Sequence, residues 1–147
     1  MPKYALDTNV YVDSVITPVA AERLKDFLTA HLPRTFLSAV VAQELRVGAR
    51  TRERVDALET GTIIPFERRG RLFAPSARAF VECGRVLVDL IAREGVMYAE
   101  TDRSLVNDVL LAVSCREHGI TLLTADNDFK LIARHLKGFR AVVPFPA

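Results

Sequence analysis

The chain has 147 residues, 50% of them hydrophobic and 26% charged, with a formal net charge of +2, which suits one well-buried domain over residues 1–147 and leaves too little for two. Its two cysteines, Cys83 and Cys115, lie far apart without a CxxC spacing, which argues against a zinc site or a disulfide framework. No apolar run approaches the ~20 residues of a membrane span, and Met1-Pro2-Lys3-Tyr4 leads into a strand without a signal pattern, so a soluble, cytoplasmic protein is expected.

In chain order, strand and helix signals alternate. Tyr4 to Leu6 reads as the first strand, and a short helix follows from Asn9. Thr17-Pro18 starts a helix that runs to about His31, since a capping hydroxyl followed by proline suits a first turn. Thr35 to Leu37 is the second strand, and Ser38 caps a helix through Ala39 to Val47. Thr51 to Thr60 reads as another helix, stopped by Gly61. Thr62 to Phe66 is read as a strand that Pro65 demotes to an edge or bend.

The longest helical signal runs from near Ser76 to Gly95. Ala77, Phe80, Gly84, Leu87, Val88 and Ile91 recur on one face of it, and that stripe is expected to be core. Thr101 or Asp102 opens the next helix, which ends at His118 before Gly119. Thr121 to Leu123 is a buried strand. Asp126 opens a last helix with Phe129, Ile132, Ala133 and Leu136, and Arg140 to Val143 makes the final strand. The alternation predicts an α/β domain of three layers, with a mainly parallel sheet between helices.

The acids give this frame a direction. Asp7 ends the first strand in Ala5-Leu6-Asp7-Thr8-Asn9, and a residue at the carboxyl end of a parallel strand faces a crevice. Thr8 and Asn9 either cap the next helix or bond the carboxylate and hold its rotamer. Glu44 lies three residues after Val41 and four after Val40, so it points from an apolar helix face. Asp108 repeats the anomaly, three after Leu105 and four before Ala112. Asp126 follows the strand end Leu122-Leu123-Thr124-Ala125, with Asp128 in the first helical turn.

Each acid also has an ordinary explanation. Asp126 is a standard N-cap, Asp128 favours the positive end of its helix, and Asp102 is left to capping. Glu44 and Asp108 could pair with Arg46 or Arg116. Taken together the acids resist this reading, because like charges ~4 Å apart repel by about 4 kcal/mol at an effective dielectric of 20. A cluster of them needs a counter-cation or shared protons. Oxygen ligands without His or Cys suit Mg²⁺ or Mn²⁺.

Charge is unevenly spread. Between Arg46 and Arg71 seven arginines face four acids, a local excess of three positive charges, which either steers a polyanion or forms solvated helix faces. Arg46, Arg50 and Arg52, just beyond the Glu44 helix, are candidates to hold a nucleic-acid backbone. The sequence has no GxSxG, GxxxxGK[ST] or GxGxxG motif, and His31, His118 and His135 sit at or near helix ends, where a surface role is expected.

Four blocks, LDTNV at Asp7, LSAVVAQEL at Glu44, NDVLLAV at Asp108 and LLTADNDF at Asp126 and Asp128, occur in an order and spacing that resembles PIN-domain ribonucleases, specifically VapC-type toxins of toxin–antitoxin pairs. The resemblance implies an endoribonuclease dependent on Mg²⁺ or Mn²⁺, with RNA as substrate. It further implies a homodimer inhibited by a small antitoxin, and products with 5′-phosphate and 3′-hydroxyl ends. Asp7, Glu44, Asp108 and Asp126 match the family's acidic, metal-holding positions, and Asp128 an additional one. Thr8, Asn9 and Thr124 match its supporting polar positions. Residues 61–100 match no family pattern. The rival readings are a related nuclease acting on DNA or in RNA maturation, and a non-catalytic RNA- or partner-binding module of the same fold.

Overall fold

In the computed structural model, which describes residues 1–95 and 103–145, five short strands form one parallel sheet. They are β1 (Lys3–Leu6), β2 (Thr35–Ser38), β3 (Leu72–Phe73), β4 (Ile120–Leu123) and β5 (Ala141–Val142), in the order β3-β2-β1-β4-β5. The central β1 sets Ala5 beside Phe36 of β2 on one side and beside Leu122 of β4 on the other. The chain thus moves outward from β1 through β2 to β3 and then returns to the far side. The strand order reverses between β1 and β4, and in open parallel sheets a crevice lies outside the strand ends at such a reversal. Asp7 and Thr124 are the residues that directly follow these two strands.

The crossovers from β1 to β3 carry α1 (Thr8–Ile16), α2 (Pro18–His31), α3 (Ala39–Gly48), α4 (Arg52–Leu58) and α5 (Ile64–Arg68). Those running the other way carry α6 (Ala77–Arg93), α7 (Arg103–Glu117) and α8 (Asp128–Ala133). Right-handed crossovers in opposite directions put the two sets on opposite faces, which makes the expected three layers. Because both faces are covered, the consecutive pairs Ala5-Leu6 and Leu122-Leu123 are buried throughout, without the alternation of a half-exposed sheet.

Local chemistry sets the helix starts. The Thr17 hydroxyl accepts from the Ala20 N–H at 3.2 Å, Ser38 from Val40 at 3.1 Å and Ser76 from Ala79 at 3.0 Å. Each satisfies a donor that the first turn leaves unpaired. After α7 the chain turns at Gly119, whose φ of 67° a side chain would disfavour.

Several expectations need correction. Residues 62–66 are helical: a π-helical turn, Glu59–Ile63, joins α4 to α5 through Gly61. Gly61 costs a helix only about 1 kcal/mol, and Pro65 lies in the first turn of α5, where no N–H is needed. The third strand is instead Leu72–Phe73. The last helix starts at Asp128 and ends before Leu136, which is buried beyond it. His135 is not a surface group, for its side chain is 10% exposed and its Nε2 lies 2.8 Å from Glu94 Oε1. The expected start at Thr101 or Asp102 lies outside the described residues.

The largest correction concerns α6. Its buried face is Ala79, Cys83, Val86 and Leu90, whereas Phe80 and Val88 of the expected core stripe are 59% and 63% exposed. At about 100° per residue the two sets occupy adjacent sectors of one helix, and periodicity alone does not say which sector turns inward.

Candidate functional site

At the end of β1 the chain leaves the sheet at Asp7, which is 5% exposed and caps α1. Its Oδ1 accepts the Thr8 N–H at 2.8 Å; its Oδ2 accepts the Thr124 hydroxyl at 2.7 Å and the Asn9 amide at 3.2 Å. Thr124 Oγ1 in turn accepts the Asp126 N–H at 3.0 Å and the Asn9 amide at 3.3 Å. Asn9 Oδ1 takes the Ala125 N–H at 3.3 Å. Of the two roles open to Thr8 and Asn9 in sequence, both residues bond the carboxylate, Thr8 through its N–H and Asn9 through its amide, and the N-cap of α1 is Asp7 itself. The two strand ends at the reversal are thereby joined through one buried carboxylate.

The other acids approach from three more elements. Glu44, half-buried on α3, accepts the Thr8 hydroxyl at 3.0 Å through Oε1. Asp108 is half-buried on α7. Asp126 follows β4, and its Oδ1 accepts the Asp128 N–H at 2.9 Å, so it organises the entry to α8. Asp128 is exposed in that helix's first turn.

Their protonation shows that they share an environment. Burial pushes the Asp108 carboxyl up to about 8, reinforced by the charges of Asp7, Asp126, Glu44 and Asp128. Burial also raises Asp7, as does the charge of Asp126, while the hydrogen bonds from Thr124, Thr8 and Asn9 oppose the shift. Glu44 is raised by burial and by Asp7, against the Thr8 hydrogen bond. Each of these shifts makes the charged form harder to hold.

Arginine does not relieve that cost. Arg46 lies 4.0 Å from Glu59, and Arg116 lies 3.8 Å from Glu82, so the expected alternative partners are engaged elsewhere. Among the described residues no Lys or Arg forms an ion pair with Asp7, Glu44, Asp108 or Asp126. An oxygen-only donor set that is short of positive charge fits a hard divalent cation. Among the described residues no three His, Cys, Asp or Glu side chains already form a cage for an ion. Arg46, Arg50 and Arg52 are exposed, at the end of α3, in the following turn and at the start of α4.

One feature escaped the sequence reading. A groove of about 880 Å³ runs between α1, α3 and the α4–α5 segment, with Tyr11, Val15, Leu45 and Phe66 on its apolar wall, Arg54 and Arg69 at its side, and Glu44 among its lining. The Tyr11 hydroxyl is buried there without a hydrogen-bond partner among the described residues. The available signal was α1 itself, where Val12, Val15 and Ile16 accompany Val10 and Tyr11. These apolar residues spread over more of the helix than one sheet-facing stripe needs, which calls for cover from more than its own sheet.

The family model of the PIN domain matches residues 4–135. No curated protein matches the sequence. Among solved structures, a DNA-bound VapBC from Salmonella typhimurium superposes with a TM-score of 0.70 at 22% identity, covering 97% of this chain and 98% of the other. FitAcB from Neisseria gonorrhoeae gives 0.71 at 21% identity, covering 98% and 99%. VapBC2 from Rickettsia felis, bound to a promoter DNA fragment, gives 0.62 at 18% identity, covering 95% and 97%.

Proposed function

Because the chain belongs to the PIN domain family, whose members are generally nucleases, we propose that it is a metal-dependent endoribonuclease, the toxin of a VapC-type toxin–antitoxin pair. The observation that carries this reading is the electrostatic coupling of Asp7, Glu44, Asp108 and Asp126 at the strand-order reversal, without a basic side chain among the described residues to offset it. The likeness to structures named VapBC and FitAcB supports the toxin–antitoxin assignment.

Asp7, Glu44, Asp108 and Asp126 would hold Mg²⁺ or Mn²⁺. Such an ion supplies charge neutralisation and Lewis acidity toward a phosphodiester. The chain's own part is positional. Thr124 and Asn9 fix the Asp7 carboxylate and Thr8 fixes Glu44, and Asp126 with Asp128 would orient the attacking water. Asp108 releases its proton when the site gains positive charge. Arg46, Arg50 and Arg52 would bind RNA phosphates outside the pocket, where their charge offsets the repulsion between substrate and acids. The whole chain acts as one domain in the cytoplasm, as a homodimer held in check by its antitoxin.

The test is cleavage of RNA by purified protein with Mg²⁺ or Mn²⁺, with EDTA, and as Asp7→Asn. Cleavage that needs the metal and is lost in the variant supports the reading, whereas full activity in chelator defeats it. The rival reading is a non-catalytic RNA-binding module of the same fold. RNA binding without cleavage under any divalent cation would select it.

A further inference from the structure

The sheet face that carries α2 is covered unevenly. Helices α1 to α5 lie on the crossovers between β1, β2 and β3, so this set serves that half of the sheet and leaves β4 and β5 to the other. A pocket of about 580 Å³ lies beside α2, with Tyr4 of β1, Thr121 and Leu123 of β4 and Val142 of β5 in its lining, and Phe27 of α2 facing them. Thr121 and Leu123 are two residues apart and so share one face of their strand.

Aromatic rings gather at this pocket. The Phe27 ring centre lies 5.4 Å from that of Tyr4 and 5.5 Å from that of Phe145. Phe145, which also lines the pocket, has a φ of 55°, a backbone region that a bulky side chain rarely enters. Strain of this kind persists where the surrounding structure fixes it, and it clusters at ligand clamps.

The charge of the lining is the reverse of that at the acids. Arg23 and Arg140 contribute two cations against the single acid Asp26. Neither arginine forms an ion pair among the described residues, so both are available to an anion. The pocket also adjoins the candidate site. Leu123 is followed by Thr124, the residue that bonds Asp7, and the Val142 carbonyl accepts the Thr124 N–H at 3.0 Å. From Thr121 to Thr124 the strand advances only ~10 Å.

The occupant therefore needs a flat apolar body, a negative group beside it and continuity with a substrate at the acids. An unpaired nucleobase with its phosphate has all three, because bases stack on aromatic side chains while arginines hold the backbone. We propose that this pocket is a nucleotide subsite, where an unpaired base of the RNA strand held at the acids stacks on Phe27 and Phe145 and its phosphate meets Arg23 and Arg140. The inference rests on the RNA reading above and adds that the strand is unpaired beside the bond to be cut.

The experiment measures binding of a short fluorescent single-stranded RNA to full-length Asp7→Asn by anisotropy, so that no cleavage intervenes. Adding Arg23→Ala with Arg140→Ala, or Phe145→Ala, should weaken binding by about tenfold with circular dichroism unchanged. Phe145→Trp should bind as the parent does, and Arg93→Ala, which removes the same charge from α6, should change little. Irradiation of thiouridine-substituted RNA should link it to the pocket aromatics. Unchanged binding in both pocket variants, links confined to other segments, or a duplex that competes as well as the single strand would overturn the proposal. AMP that displaces the RNA at equal concentration would also overturn it, since the pocket would then take free nucleotides. The two readings fail separately. Cleavage by otherwise wild-type protein with an unchanged KM in the pocket variants defeats the subsite alone, and pocket-dependent RNA binding without cleavage under any divalent cation defeats the nuclease alone.

Discussion

The Thr124 hydroxyl donates a 2.7 Å hydrogen bond to Oδ2 of Asp7 and so joins two residues 117 positions apart across the reversal between β1 and β4. Thr124 also accepts the Asp126 N–H, and through it one acid is set in register with another. Removing the hydroxyl leaves a buried carboxylate short of a donor. Thr124→Val is expected to lower cleavage by about 10–100-fold, the usual effect of losing a group that orients a ligand, while Thr124→Ser retains most of it. Equal loss in both variants would mean that the methyl group matters and the hydrogen bond does not.

The Asp108 carboxyl offers a test without substrate. The folded chain holds its proton up to about pH 8, whereas an unfolded chain releases it near pH ~4. Between these values the native state binds more protons than the unfolded state, so stability falls as pH rises. The metal-free melting temperature should therefore decline from about pH 5 to about pH 8. Asp108→Asn should flatten that decline and melt above wild type at the upper end. Glu44→Gln, which removes another raised carboxyl, should be neutral or stabilising under the same conditions. A wild-type melting temperature that climbs across this range would rule out a strained acid cluster.

Metal reverses the sign. A cation that binds only the folded state adds about 2.7 kcal/mol at a hundred times its dissociation constant. Mg²⁺ or Mn²⁺ should raise the melting temperature of wild type, most of all near pH 8, where Asp108 yields its proton readily. The increment should shrink in Asp7→Asn. Thermal melts with and without EDTA measure it, and equal increments in both proteins would remove Asp7 from the ligand set.

The candidate acids stood out in sequence by their places along the chain. Asp7 ends an apolar strand, Glu44 and Asp108 interrupt apolar helix faces, and Asp126 follows a second strand end. What sequence could not supply was their relation, since the Asp7–Thr124 bond depends on β4 returning beside β1. Pro65 misled because a proline suits a strand edge and a helix's first turn equally well, and only the π-helical turn before it decides. Phe80 and Val88 misled for a different reason. Hydrophobic periodicity reports that a helix has an apolar face, and it does not say which sector of that face turns toward the core.

The groove leading to Glu44 predicts how an inhibitor works. Its wall of Tyr11, Val15, Leu45 and Phe66 suits an extended or helical segment with apolar side chains, and Arg54 and Arg69 suit an acidic group on that segment. Glu44 is part of the groove's lining, and its charge is coupled to those of Asp7 and Asp108. An anionic site is blocked best by a cation, and an arginine can hold a carboxylate through two hydrogen bonds. The antitoxin is therefore expected to insert an Arg or Lys among these acids, where it takes the place of the metal's charge. Truncating that side chain should restore cleavage while the complex survives through its apolar contacts, and rising Mg²⁺ should relieve inhibition by the intact antitoxin. The assay is RNA cleavage by the co-purified complex across a Mg²⁺ titration, with each basic residue of the inserted segment replaced in turn. Inhibition that ignores both Mg²⁺ and the loss of every such residue would exclude charge replacement, and would mean that the segment acts by filling the groove.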